Sequence, residues 1–231
     1  MSNYQALKER VYEANMELDK RGLVVYTFGN VSEIDRNCGV FAIKPSGVPY
    51  EDLKPDDIVV LDLDCNIVEG TMRPSSDTRT HAHLYKHFEN VGGITHTHST
   101  YATAWAQAKA AIPCLGTTHA DFVYGDIPCT AVMTDSQIDR DYEEETGVQI
   151  TDCFTERSPD ETPMVIVAGH APFTWGKDAA KSVYHAVILE QLAKMAYVTK
   201  GITPTLQPLK QAISDKHYFR KHGANAYYGQ K

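Results

Sequence analysis

Two histidines one residue apart, His96 and His98, sit in the run Gly92-Gly93-Ile94-Thr95-His96-Thr97-His98-Ser99. The run reads as a buried β-strand. Side chains on a strand alternate faces, so both imidazoles point the same way and can grip one metal ion, with Thr95 and Thr97 turned to the opposite face. Two further residues extend the set. Asp77, in Ser75-Ser76-Asp77, supplies a carboxylate upstream, and His170 follows a second apolar strand, Met164 to Ala168. Three imidazoles and a carboxylate form an N/O donor set suited to zinc or manganese. The competing reading is of core histidines satisfied by backbone carbonyls.

Three turns of small residues could cradle an anion: Phe28-Gly29-Asn30-Val31-Ser32, Lys44-Pro45-Ser46-Gly47 and Pro74-Ser75-Ser76. Glycine lets backbone amides approach a phosphate, and hydroxyls and an asparagine amide can donate to it. None matches a P-loop or a dinucleotide-binding fingerprint. Their significance depends on whether they converge in space.

The elements that would position these residues alternate between strands and helices. Leu23–Thr27, Val40–Lys44 and Ile58–Asp64 read as strands. The opening segment reads as a surface helix carrying Leu7, Val11, Ala14 and Leu18 at helical spacing, with a capping box from Ser2 and Gln5. Further helices are expected over Thr78–Phe88 (capped by Ser76 or Asp77), Tyr101–Ala110 (capped by Ser99), Asp139–Glu156, Ala179–Lys200 and Leu209–His222. A loop is expected between the Met164 strand and the Ala179 helix. His81, His83 and His87 share the Thr78 helix and read as surface residues, while His185 and His222 carry no usable signal. The short strands and uneven spacing predict a mixed or antiparallel sheet flanked by helices rather than repeated βαβ units.

Composition bounds the function classes. At 231 residues, 42 % of them hydrophobic and 23 % charged, the chain fits one soluble globular domain over residues 1–231. A net charge of −8 disfavours nucleic-acid and membrane-surface partners. The first residues are charged, without the apolar core of a signal peptide, so nothing marks export. Five scattered cysteines without a Cys-x-x-Cys pair argue against a disulfide framework and for the cytoplasm.

Motifs spread over almost the whole chain carry a family resemblance. Gly29-Asn30-Val31-Ser32, Lys44-Pro45-Ser46-Gly47, Pro74-Ser75-Ser76-Asp77-Thr78, His96-Thr97-His98-Ser99, Gly116-Thr117-Thr118-His119-Ala120-Asp121, Ile127-Pro128-Cys129-Thr130, His170-Ala171-Pro172-Phe173, Lys216-His217-Tyr218 and the ending Tyr227-Tyr228-Gly229-Gln230 resemble the L-ribulose-5-phosphate 4-epimerases of the class II aldolase superfamily. The histidine pair and the glycine-asparagine turn are shared by the superfamily; the Thr-Thr-His-Ala-Asp run and the Tyr-Tyr-Gly-Gln ending are more specific. Ala171 stands where the family usually has glycine, which bears on the local turn but leaves the ligand in place.

The resemblance implies an α/β/α class II aldolase fold around a mostly antiparallel sheet. It implies a zinc-type site, with manganese or cobalt as alternatives, from Asp77, His96, His98 and His170. It places a phosphate among Gly29, Asn30, Ser46, Gly47, Ser75 and Ser76, with Lys44 nearby, and makes Asp121 and Tyr228 an acid/base pair. His119, Glu143, His217 and Arg220 are weaker candidates for supporting roles. The substrate implied is a phosphorylated ketopentose, on a route of arabinose or ascorbate breakdown, and the assembly a fourfold homotetramer.

The implied chemistry explains these residue types. Carbon four of a ketopentose phosphate is not adjacent to the keto group, so it cannot be inverted by simple deprotonation. Cleaving the bond between carbons three and four, rotating the aldehyde and re-forming the bond inverts it, and this calls for two acid/base groups on opposite sides. A fuculose-phosphate-type aldolase is the alternative enzyme, but such aldolases typically carry glutamate where this chain has Asp77. A binding module like the adducin head domain would be expected to have lost its ligands, and all four are present. The tail from Gly223 to Gly229 has too few apolar residues to pack alone, and we expect Tyr228 to serve the metal site of a neighbouring subunit.

Overall fold

The computed structural model describes residues 3–222 and 226–228. Ser2, the start of the tail at Gly223 and the closing Gly229-Gln230 lie outside the described residues.

Seven strands are described: β1 (Asn30–Asp35), β2 (Val40–Ile43), β3 (Val59–Asp62), β4 (Ile67–Glu69), β5 (Gly93–His96), β6 (Met164–Ile166) and β7 (Pro172–Gly176). They form one sheet in the order β4-β3-β2-β1-β5-β7-β6, with every neighbouring pair antiparallel. The α-helices are α1 (Gln5–Lys20), α2 (Thr78–His87), α3 (Thr100–Gln107), α4 (Thr117–Ala120), α5 (Asp135–Ile138), α6 (Tyr142–Asp152), α7 (Ala179–Ile202) and α8 (Gln211–Phe219). Helices cover both faces. On one, Phe41, Leu61, Ile94 and Trp175 of the sheet pack with Leu84 and Tyr85 of α2 and Ile150 of α6. On the other, α1 and α7 bury Ala14, Leu18, Val183 and Ala186 against Val31. This is the mixed α/β, antiparallel architecture that the strand pattern predicts.

The expected Leu23–Thr27 strand does not form. Leu23 and Val24 are buried, but Val25 and Tyr26 are exposed, and Tyr26 takes a left-handed φ of 54° that ends any extended run. The first strand is instead β1, whose polar sequence NVSEID is almost entirely buried. Ser32 and Glu33 are satisfied inside. Ser32 Oγ lies 2.7 Å from both His81 Nδ1 and Tyr85 Oη, while Glu33 accepts from Arg10 Nε at 2.6 Å and from the Ala179 N–H at 2.9 Å. Burial of such residues is tolerated because each finds a partner. β7 is likewise a strand where a loop was expected, and β4 forms in a stretch for which no strand was expected.

Helix starts also differ from expectation. Tyr4, not Ser2, precedes α1, and Gln5 donates to Glu9 at 3.1 Å instead of closing a capping box. Ser99 precedes α3 without capping it; the Glu190 carboxylate accepts from the Tyr101 and Ala102 N–H groups at 2.9 Å each. Asp77 precedes α2, but its side chain makes no cap hydrogen bond and is turned elsewhere. His81 is fully buried rather than on the surface, His83 is half-buried, and only His87 is exposed as expected.

The sheet register positions the chemistry. Asn30 on β1 pairs with His96 on β5, which pairs with Phe173 on β7. Gly29 turns the chain into β1 with φ +76°, and a Cβ there would lie 2.8 Å from the His96 carbonyl oxygen. Only glycine permits that approach.

Candidate metal centre and anion cradle

His96, His98 and His170 offer ring nitrogens that lie within 4.8 Å of one another. The His96 and His98 Nε2 atoms are 3.1 Å apart, although His98 stands two residues past the end of β5. Thr95 faces away, as alternation requires, bonding Ser182 on α7 at 2.7 Å. His96 Nδ1 lies 3.0 Å from the Pro172 carbonyl. A carbonyl only accepts, so Nδ1 carries the proton and Nε2 turns a lone pair into the cavity, the tautomer a metal ligand needs. The His96 ring is fixed by stacking on Phe173, with ring centres 4.2 Å apart. His170 Nδ1 is buried without a hydrogen-bond partner among the described residues. Gly169 takes the left-handed turn with φ +75° and Ala171 is fully buried, so the alanine leaves His170 beside the other two rings.

Asp77 Oδ2 stands 3.9 Å from His96 Nε2 and accepts from Asn30 Nδ2 at 2.7 Å. Burial pushes its carboxyl upward, but His96, His81 and the Asn30 hydrogen bond outweigh this and hold it below the usual value. His170 is pushed down to about 4, first by burial and then by His96, and His98 is lowered for the same reasons. A divalent cation requires neutral imidazoles beside an ionised carboxylate, the direction in which His98, His170 and Asp77 are all shifted. An orphaned buried nitrogen and converging lone pairs therefore fit a metal ion.

The three small-residue turns do converge. Thr27, Phe28, Gly29, Asn30, Lys44, Pro45, Ser46, Gly47, Ser75, Ser76, Asp77 and the three histidines line one cavity of about 310 Å³. The Lys44 and Ser75 turns are stitched by Ser46 N–H to Arg73 O at 2.9 Å and Ser75 N–H to Lys44 O at 3.1 Å. Tyr50 Oη donates to the Phe28 and Gly29 carbonyls at 3.0 Å each, holding the third turn. Asn30 Nδ2 is spent on Ser75 Oγ and Asp77, leaving its Oδ1 without a partner among the described residues.

Lys44 is buried, donates to the Val48 carbonyl at 2.7 Å and lies 4.7 Å from the Tyr50 ring centre. Burial lowers its pKa from 10.5 to about 8. The unfolded chain thus binds more protons between those values, and stability rises with pH across that window. At pH 7 the buried charge carries its full cost. Lys44→Met is expected to stabilise the fold at pH 7 by about 1–3 kcal/mol in urea unfolding, with the gain fading towards pH 10.5. An equal effect at both pH values would contradict this.

Asp121 and Tyr228 come together, but away from the lining of this cavity. Asp121 receives Arg220 at 2.8 Å, His217 Nδ1 at 3.0 Å and Lys221 Nζ at 3.3 Å. Burial raises its pKa, and Arg220, His217 and Lys221 together pull it below the ordinary value. Arg220 and Lys221 each lie 4.7 Å from the exposed Tyr228 ring centre. His222 joins through the Asp121 carbonyl at 3.0 Å. His119 is not in the group; its Nε2 meets the Gly125 carbonyl at 2.9 Å. Glu143 meets α2 through its backbone oxygen, which accepts from Thr80 Oγ1. Sequence reasoning passed over Tyr142, whose ring centre lies 6.1 Å from that of His170; Phe28, named only as part of its turn, lies 5.8 Å from His98, ring centre to ring centre. Tyr142 carries no local sequence signal.

The Class II Aldolase and Adducin N-terminal domain model matches residues 9–197. L-ribulose-5-phosphate 4-epimerase UlaF of Salmonella paratyphi C (strain RKS4594) is 54 % identical over 227 residues, 98 % of this chain and 100 % of that protein. Two solved structures share the fold. One, L-fuculose 1-phosphate aldolase, has TM-score 0.79 and 23 % identity over 95 % of this chain and 97 % of its own. The other, the L-fuculose 1-phosphate aldolase from Glaciozyma antarctica PI12, has TM-score 0.77 and 17 % identity over 96 % and 84 %. The chain thus belongs to the class II aldolase and adducin N-terminal domain family, among its L-ribulose-5-phosphate 4-epimerases, and is by that membership an isomerase.

Proposed function

We propose that this enzyme interconverts L-ribulose 5-phosphate and D-xylulose 5-phosphate by retro-aldol cleavage and re-formation of the bond between carbons three and four. The observation that carries the reading is the meeting of three imidazoles and three anion-cradling turns in one cavity. The chain is one catalytic domain, and His96, His98, His170 and Asp77 would hold a divalent ion, for which zinc is our choice over manganese or cobalt. Such an ion supplies Lewis acidity for the charge that develops on the substrate's oxygens, a contribution of several kcal/mol.

The remaining work falls to side chains. Ser46, Gly47, Ser75, Ser76 and Gly29 receive the phosphate, with Lys44 adding charge nearby. Asn30 orients Asp77 and closes the cradle. Cleavage leaves the enediolate of dihydroxyacetone and glycolaldehyde phosphate; the phosphate grip lets the aldehyde turn without escaping. Asp121, held as a carboxylate by Arg220, is the form that takes a proton, and Tyr228 carries one to give. Neither lines the cavity of its own chain, so both reach a cavity from a neighbouring subunit of a homotetramer. We place the reaction in arabinose or ascorbate breakdown, both of which use it, and in the cytoplasm, in keeping with five free cysteines. No helix of the described residues is long and apolar enough to cross a membrane.

The test follows L-ribulose 5-phosphate by NMR with the metal-loaded enzyme. D-xylulose 5-phosphate is expected, and Asn30→Ala, with its grip loosened, is expected to leak dihydroxyacetone and glycolaldehyde phosphate. No interconversion would refute the function; interconversion with neither fragment ever trapped would refute cleavage.

A further inference from the structure

The proposed histidine ligands are not held in the same way. His96 lies within β5, its Nδ1 set against the Pro172 carbonyl at 3.0 Å and its ring stacked on Phe173. His98 lacks such a partner. Its Nε2 faces that of His96 at 3.1 Å, and its Nδ1 meets no hydrogen-bonding group among the described residues. A ligand imidazole is commonly oriented by an acceptor on its second nitrogen. Without one, the place of His98 is set by the backbone on either side, with β5 ending two residues before it and α3 starting two residues after it.

The helix side is held by Glu190 of α7. Its carboxylate accepts from the Tyr101 and Ala102 N–H groups at 2.9 Å each. These donors belong to the first turn of α3, where no carbonyl of the same helix can reach them, and the helix dipole favours a negative charge there. Glu190 is itself anchored. Ser182, eight residues earlier on α7, has its Oγ 2.7 Å from Thr95 Oγ1 on β5, and its carbonyl accepts from Thr174 Oγ1 on β7 at 2.9 Å. Eight residues of helix span about 12 Å. The helix α7 is thus a ruler tied to β5 at one point and to α3 at another, with His98 on the segment that joins them. The far end of α3 is fixed separately: Trp105 Nε1 donates to the Ala193 carbonyl at 3.0 Å, and the Gly169 N–H donates to the Ala106 carbonyl at 2.8 Å. Glu190 therefore controls the end of α3 next to His98.

We propose that Glu190 is a positioning residue of the metal centre, its carboxylate pinning the start of α3 so that His98 is kept beside His96. Loss of support around a metal ligand commonly costs 10- to 100-fold in metal affinity. The inference rests on the metal centre proposed above.

The test measures zinc affinity of metal-free wild type, Glu190→Gln and Glu190→Ala by chelator competition, with urea unfolding to establish that each is folded and a metal-free crystal structure of each. Glu190→Ala strands both N–H groups and is expected to weaken zinc 10- to 100-fold. Glu190→Gln, whose amide oxygen still accepts one of them, is expected to lose less. In the Glu190→Ala crystal the His98 ring should be displaced from its wild-type place, while the stack of His96 on Phe173 stays. Unchanged affinity in a folded Glu190→Ala, or affinity lost with His98 unmoved, would overturn the role. If Glu190→Ala does not fold, the same two measurements on Glu190→Gln decide; if neither folds, Glu190 serves the fold alone and the role is overturned. Wild type that takes up no divalent metal would overturn the metal centre itself, and this inference with it.

Discussion

Replacing His96 with asparagine is expected to lower metal content and activity together, with activity falling on the order of 1,000-fold or more. The site explains the size of the effect. His96 Nε2 stands between the other proposed ligands, 3.1 Å from His98 Nε2 and 3.9 Å from Asp77 Oδ2. The fold should survive: losing the stack on Phe173 costs about 1–2 kcal/mol, within what a domain of this size tolerates. Metal analysis, the epimerase assay and a denaturation curve on the same preparation separate the three quantities. Full activity in a demonstrably metal-free variant would sink the assignment.

The second large effect concerns the assembly. On the proposed homotetramer with shared sites, Tyr228→Phe and His96→Asn proteins should each be nearly inactive, while tetramers re-formed from an equal mixture should recover about a quarter of wild-type activity, because one site in four joins an intact histidine set to an intact tyrosine. Tyr228 is suited to that role. It is exposed and lies over Arg220 and Lys221, and the Tyr228 N–H donates to the Arg220 carbonyl at 3.0 Å. If mixed tetramers, verified by mass, stay as inactive as their parents, each subunit completes its own site.

What the sequence disclosed follows a physical division. The His96–His98 spacing, the turns at Gly29, Ser46 and Ser75, and the apolar stripe of α1 are local patterns, and local patterns are visible in one dimension. β1 was hidden because Ser32 and Glu33 look solvent-facing until His81, Tyr85, Arg10 and the start of α7 are folded around them. β7 was hidden by its opening proline and closing glycine, though Phe173 and Trp175 between them are fully buried. Leu23–Thr27 misled in the opposite sense, being apolar enough for a strand but without a neighbour to pair with. His81 looked like a surface residue for the same reason Ser32 looked like a loop residue: each is explained only by the other.

The pairing of Asn30 with His96, and of His96 with Phe173, also bears on how the protein is made. The first and last of these residues are separated by most of the chain. Loops of that length must close before their contacts are rewarded, and such topologies fold slowly. During synthesis β1 and β2 can form a hairpin early, but the edge of β1 that receives β5 stays open until Gly93–His96 emerges, and β5 in turn waits for β7. The proposed ligand set would thus be completed late, with His96 and His98 synthesised well before His170. Ribosome-bound fragments ending before His170 should therefore bind cations loosely and without selectivity.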